Sequence, residues 1–257
     1  MKWLLEINEK KFIDNIDKIQ KYVGSKELMP VIKANGYGTY INKRLDIINR
    51  FNIVAVARID EAIEIRKLGY KKEIFILNQV DSEELNDIYK YDITIGLSEV
   101  SIIDKINNKL KVHLEIETGM NRTGIKQEEL DYFIDTLKKS KNIIVDGIYT
   151  HLSSADYDKK YTLMQLDIFD KSVEKIKKEF NTIKYIHSQA SNGLLNYKDN
   201  CTNLVRAGII MYGYESFPGS KAKIDFKPIC KLKTKITYLK EIDKDEKITS
   251  LLKIEKE

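Results

Sequence analysis

The chain has 257 residues, 42% of them hydrophobic, with 44 lysines and arginines against 39 aspartates and glutamates and a net charge of +5. That is enough to bury one large core. The charge is spread over lysine-rich helix faces without a sustained basic block, which argues against a nucleic-acid footprint. The two cysteines, Cys201 and Cys230, lie far apart and form no CxxC pair, so neither a disulfide framework nor a cysteine-based metal site is supported. The N-terminal residues become charged too soon for a signal peptide, and no apolar run approaches membrane-spanning length. A soluble, cytoplasmic protein with no membrane or nucleic-acid partner is expected.

Hydrophobic spacing switches regularly between helix and strand periods. Residues 8–23 read as a helix, with Phe12, Ile13, Ile16, Ile19 and Tyr22 on one side. Residues 28–34 read as a strand, 42–49 as a helix, 53–57 as a strand and 60–68 as a helix. A strand at 73–77 precedes a helix that starts near Ser82, where Ser-Glu-Glu-Leu supplies an N-cap and an acidic first turn. Then follow a strand at 92–96, a helix at 99–106, a strand at 111–117 and a helix at 127–138. A strand at 143–152 leads into the long amphipathic helix 161–180, and strands at 185–190 and 204–211 end the series. About eight short strands alternating with helices predict an α/β fold, a parallel TIM-type barrel, over residues 1–220. An open doubly wound sheet is the competitor, but no GxGxxG turn follows the first strand. After Phe217-Pro218-Gly219 the pattern changes to two candidate strands, 230–238 and 246–254. Residues 221–257 therefore read as the start of a C-terminal β domain whose remainder is missing.

In such a barrel, functional groups sit at the C-terminal ends of the strands. Lys33 ends the apolar run that begins at Met29, just before the glycine-rich Asn35-Gly36-Tyr37-Gly38. An amine there either snorkels to water or is placed to form a Schiff base with a carbonyl cofactor. His113 and Glu115 lie on the 111–117 strand, followed by a loop carrying Arg122. His151 closes the 143–152 strand, His187 and Ser191 lie on and just past the 185–190 strand, and Arg206 lies on the last one. Taken singly, each reads better as a core histidine, a surface charge or, at Gly208 and Gly213, a packing glycine. Jointly they gather cationic and hydrogen-bonding groups on one barrel face, which scaffolding does not explain. The three histidines show no HxH or HExxH spacing and no GxSxG elbow occurs, so a metal site and a serine hydrolase are the weaker readings.

Residues 31–38 (VIKANGYG), 113–125 (HLEIETGMNRTGI), 150–152 (THL) with Ala155-Asp156, and 205–213 (VRAGIIMYG) resemble, in order, the successive signatures of the alanine racemase family. Its members are pyridoxal 5′-phosphate enzymes on an alanine-racemase-like barrel, acting on a small amino acid and assembling as homodimers. The resemblance implies L-alanine to D-alanine conversion for peptidoglycan precursors. It implies that Lys33 holds the cofactor and acts as the base on one face of the substrate. Tyr37 and Ser191, with the backbone of Gly208 and Ile209, would bind the phosphate, and Tyr212 would line that cup. Arg206 would face the pyridine nitrogen with His151 orienting it, and Arg122 would bind the substrate carboxylate.

The sequence departs from the family pattern in three places. Many members carry a modified lysine where Glu115 stands, so a direct Glu115–Arg122 pair is expected. The segment 187–197 resembles variants found in some Gram-positive alanine racemases and in serine racemase domains, which leaves serine as an alternative substrate. Leu251 and Leu252 stand where the family's second base, a tyrosine followed by glycine, is expected. A truncated or split racemase follows from that, or a single-barrel protein of pyridoxal-phosphate homeostasis without efficient racemase activity.

Overall fold

The computed structural model of the chain describes residues 3–197, 201–215 and 220–243. Its strands are β1 (Trp3–Ile7), β2 (Glu27–Pro30), β3 (Ile53–Val56), β4 (Glu73–Ile76), β5 (Thr94–Leu97), β6 (Leu110–Glu115), β7 (Ile143–Tyr149), β8 (Tyr185–His187), β9 (Leu204–Ala207) and β10 (Cys230–Thr234). β3 to β8 form a six-stranded sheet in chain order, parallel throughout, and β2 pairs in parallel with β9. The Ile32 N–H donates to the Ala55 carbonyl (2.9 Å) on one side of that pair. On the other, the Arg206 N–H donates to Gln189 (3.0 Å) and the Asn203 N–H to Ile186 (3.1 Å). These bonds close the strands into the expected eight-stranded parallel barrel.

The strands are short and almost wholly apolar because both faces of a parallel sheet are covered. Ile53, Val54, Ala55 and Val56 of β3 are all buried. Inside the ring, Met29, Val31, Ile53, Ala55, Phe75, Tyr149, Tyr185 and Leu204 pack as one cluster. Outside it, the helix Glu9–Val23 opens on Asn8, whose side chain accepts from the Lys11 N–H. The long helix Lys159–Glu179 buries Leu166, Phe169, Val173 and Ile176 at helical spacing. Several predicted elements are shorter or tighter than their periodicity suggests. The helix over 42–49 splits into Ile41–Lys43 and Leu45–Ile48, and that over 99–106 is a 3₁₀ segment, Val100–Lys105. The strand over 204–211 stops at Ala207, and Ile209–Tyr212 turns as a 3₁₀ segment instead.

The chain divides into two compact units: Asn8–Ile229, and a smaller one made of the N-terminal strand and residues from Cys230 onward. In the smaller unit β1 runs antiparallel to β10, with Trp3 opposite Thr234 and Ile7 opposite Cys230. β1 is a strand that periodicity did not single out. The second expected strand, over 246–254, lies outside the described residues. Among the described residues, no helix is long and apolar enough to cross a membrane.

The loops at the N-terminal end of the barrel share one fastener. Arg66, in the last turn of the helix Ile59–Lys67, donates to the carbonyls of Tyr70, Lys72 and Tyr91 (each 2.8 Å) and Asp92 (2.6 Å). A planar guanidinium can serve four carbonyls on diverging chains, whereas an ammonium cannot match that fork. Arg66→Ala is expected to lower unfolding free energy by about 2–4 kcal/mol, measured by urea titration, with Arg66→Lys recovering less than half of the loss.

Candidate active site

Lys33 does not end a strand. β2 stops at Pro30, Val31 bridges to Ala55, and Lys33 opens a turn in which Ala34 (φ 52, ψ 51), Asn35 (φ 54, ψ 44), Gly36 (φ 60, ψ 49) and Tyr37 (φ 54) are all left-handed. Residues with a Cβ are strained in that region, by about 1–2 kcal/mol each. The turn is held by its own backbone, Gly36 N–H to Ile32 (3.0 Å), Gly38 N–H to Ala34 (2.8 Å) and Tyr40 N–H to Asn35 (2.7 Å). It is also held by Glu61. One oxygen of that carboxylate accepts from the Ala34 N–H (2.5 Å), and the other from the N–H groups of Ala57 (2.7 Å) and Arg58 (3.2 Å). Glu61 thus ties the turn after β2 to the exit of β3. The strained turn places Lys33 and Tyr37 on the wall of one cavity of about 490 Å³.

Across that cavity Ser191 opens the short helix Ser191–Asn196, and its Oγ accepts from the Gly208 N–H (3.2 Å). A Cβ on Gly208 would lie 3.0 Å from the Tyr37 hydroxyl, so any larger residue would fill the space between them. Ile209 lines the same wall. Tyr212 is buried and does not line the cavity; its ring packs 4.9 Å from that of Tyr37 and backs it.

Arg206 of β9 is 2% exposed, and its side chain reaches the cavity floor. One terminal nitrogen donates to the His187 carbonyl (3.0 Å) and His187 Nδ1 (2.6 Å), the other to the carbonyls of Thr150 (2.7 Å) and Ser188 (3.2 Å). His151 Nδ1 lies 3.4 Å from the second nitrogen. None of these bonds uses Nε. Burial pulls the guanidinium down to about 10, so it stays charged at neutral pH. Burial and the Arg206 charge push His151 down to about 3, which keeps it neutral.

Arg122 lines the cavity on the loop after β6, as does Glu115 at the end of that strand. The expected direct pair is not formed: among the described residues no ion pair joins them. Glu115 accepts instead from Thr123 Oγ1 (3.0 Å) and Gln79 Nε2 (3.3 Å). Burial raises its carboxyl, and Arg122 pulls against that rise through space. Gln79, Tyr149 and Glu61 lie outside the motifs, and Thr123 lies inside the 113–125 motif without a role assigned to it. Tyr149 had a local signal as well, as a polar aromatic at the exit of a strand. Asp156 also faces the cavity, held by Asn192 Nδ2 (3.3 Å). A wider cavity of about 1010 Å³ adjoins this one at Lys33 and Asn78.

The neutral His151 has a measurable consequence. Below about pH 6.5 the unfolded chain protonates this ring while the folded chain does not, so folded stability falls as pH falls. His151→Gln removes that uptake. The unmodified chain is expected to lose stability faster than the variant by about 1.4 kcal/mol per pH unit below 6.5. Urea titrations between pH 7.5 and 4 test this, and equal slopes would contradict it.

Residues 7–216 match the family described as alanine racemase, N-terminal domain. The chain is 33% identical over 257 residues to the alanine racemase of Desulforamulus reducens, covering 95% of itself and 70% of that protein. It is 33% identical over 259 residues to that of Methanococcus maripaludis, covering 95% of itself and 69% of that protein. Among solved structures it resembles the alanine racemase of Clostridium difficile 630 in complex with cycloserine (TM-score 0.84, 29% identity, 94% of this chain and 70% of that one). The enzyme from Streptomyces lavendulae shares the fold at a TM-score of 0.89 and 19% identity, over 98% of this chain and 70% of that one. The match runs through every element that lines the cavity, and the chain belongs to the alanine racemase family.

Proposed function

We propose that the chain binds pyridoxal 5′-phosphate in the 490 Å³ cavity and interconverts L- and D-alanine there, the D form serving peptidoglycan precursors. The observation that carries this reading is the convergence of Lys33, Tyr37, Ser191, Gly208, Arg122 and Arg206 on that one cavity. The residues fit the cofactor at both of its ends. Gly208 leaves open the space that a side chain would fill beside the Tyr37 hydroxyl and Ser191 Oγ, as a phosphate pocket requires. Arg206 keeps its Nε–H out of the bonds that fix it, as a donor to a ring nitrogen requires. We read residues 1–220 as the cofactor-binding barrel and 221–257 as the beginning of a β domain.

When bound, pyridoxal phosphate supplies an electron sink beside the substrate's α-carbon. Lys33 holds the cofactor and takes or returns the Cα proton on its own face. Tyr37, Ser191 and the backbone N–H groups of Gly208 and Ile209 bind the phosphate. Arg122 binds the substrate carboxylate as a charge-matched donor. Arg206 stays cationic and disfavours a proton on the ring nitrogen, which keeps the sink shallow. Racemisation needs only removal and return of one proton, and a shallow sink limits side reactions such as transamination. The expected family tyrosine for the opposite face falls at Leu251–Leu252, outside the described residues.

Reduction with borohydride followed by peptide mapping is expected to place the cofactor's mass on the Lys33 peptide; a modified lysine elsewhere, or none, would sink the cofactor reading. In deuterium oxide, Lys33→Ala is expected to slow Cα exchange and racemisation of alanine by about 10²–10⁴-fold. Exchange that survives the substitution would show that another group is the base.

A further inference from the structure

Below Arg206 the barrel interior contains a second polar cluster that the proposed reaction does not use. His187 Nδ1 meets an Arg206 terminal nitrogen at 2.6 Å, and His187 Nε2 meets His113 Nδ1 at 2.9 Å. Both rings are fully buried. On its far side His113 Nε2 lies 3.9 Å from Glu73 Oε1 and 3.9 Å from Asp146 Oδ2. Those distances are too long for direct hydrogen bonds. His113 Nε2 and Asp146 Oδ2 are both buried without a hydrogen-bond partner.

The protons in this chain have only one consistent placement. A guanidinium donates and never accepts, so His187 Nδ1 must offer its lone pair to Arg206. Burial and the Arg206 charge keep both imidazoles neutral, with His113 pushed down to about 3 and His187 well below its usual value. The single proton of His187 is therefore on Nε2, and it is donated to His113 Nδ1. The single proton of His113 is then on Nε2, aimed at the two carboxyl groups. Local backbone features place both partners. Val112 pairs with Val145 but His113 with Gly147, so Asp146 is the extra residue of a β-bulge, which re-aims its side chain. At Gly147 a Cβ would lie 2.6 Å from the His113 ring, so only glycine leaves room for it. Glu73 is steadied by Thr94 Oγ1 (3.1 Å), and the His113 ring stacks on Phe75 with centroids 4.5 Å apart.

Glu73, His113 and Asp146 also bring three possible metal-ligand atoms within 4.8 Å of one another. A cation there would need the His113 Nε2 lone pair. Freeing it would move the proton to Nδ1, and so would set the His187 Nδ1–H against the guanidinium. The spacing instead fits one water that accepts from His113 and donates to the two carboxyl groups.

We propose that Glu73, Asp146 and His113 are positioning residues for Arg206, anchoring through one bridging water a one-way hydrogen-bond chain that runs through His187 and fixes the guanidinium at the cavity floor. The functional part of this proposal rests on reading Arg206 as the group that faces the cofactor ring. Its structural part is tested without cofactor or turnover. With only three histidines in the chain, ¹⁵N–¹H long-range correlation spectra resolve each ring. Protonated Nε2 and bare Nδ1 are expected on both His113 and His187 at pH 7, unchanged by added Zn²⁺. A proton on Nδ1 of either ring, an imidazolium, or a Zn²⁺-induced shift of His113 would overturn the chain. In turnover of alanine, His113→Leu leaves the His187 N–H without an acceptor and is expected to lower kcat about tenfold with KM little changed. His113→Asn places an amide oxygen where Nδ1 stood and is expected to restore most of that loss. Equal loss in both variants, or a loss carried by KM, would reduce His113 to a packing residue.

Discussion

The burial of the Arg206 guanidinium constrains more of this molecule than any other interaction. A cation withdrawn from water is strongly destabilising unless its donors are satisfied. No carboxylate forms an ion pair with it among the described residues. Its neighbours are neutral acceptors: three backbone carbonyls from the ends of β7 and β8, and the ring of His187. Those carbonyls converge only if β7, β8 and β9 meet at the right height, so closing the barrel and solvating the charge are one requirement. The Arg206 backbone N–H, bonded to Gln189, is itself part of that closure. The same charge, acting with burial, holds His113, His151 and His187 in their neutral forms.

On the opposite wall, a run of three left-handed residues that carry side chains, with Gly36 among them, stays in place because Glu61 and the adjoining backbone over-determine it. Such strain tends to persist where geometry matters more than local stability. Here it sets Lys33 and Tyr37 on one wall, facing the rigid Arg206 floor. A lysine set on a braced turn and an arginine held by four acceptors suit their different proposed tasks. One moves a proton, and the other holds a field.

Much of this could be read from the sequence, because the alternation of short apolar strands with amphipathic helices is a local pattern. So is the spacing of the motifs at strand ends. What escaped reading depends on distant partners. β1 finds its partner more than two hundred residues away at β10, so Trp3–Ile7 shows no pairing signal of its own. Lys33 and Ala34 looked like a strand end because nothing local in Ala34 announces a left-handed backbone, and the sequence marks a turn only from the glycine-rich Asn35-Gly36; the carboxylate of Glu61, bonded to the Ala34 N–H, supplies the reason. Glu115 was expected to pair with Arg122, but Thr123 and Gln79 reach it directly, and Gln79 comes from beyond another strand end. Tyr212 belongs to the right motif yet serves as backing for Tyr37. The bulge that turns Asp146 inward is invisible to a period-two reading, since one extra residue shifts every later side chain to the other face.

In the proposed function Arg206, charged at neutral pH although burial lowers it to about 10, keeps the cofactor's ring nitrogen without a proton. The direct measurement is the ¹⁵N chemical shift of pyridoxal phosphate labelled at that nitrogen and bound to the full chain at neutral pH. A pyridine-like shift of an unprotonated nitrogen is the predicted result, moving toward the protonated value in Arg206→Glu. A pyridinium shift in the unmodified protein would contradict the account.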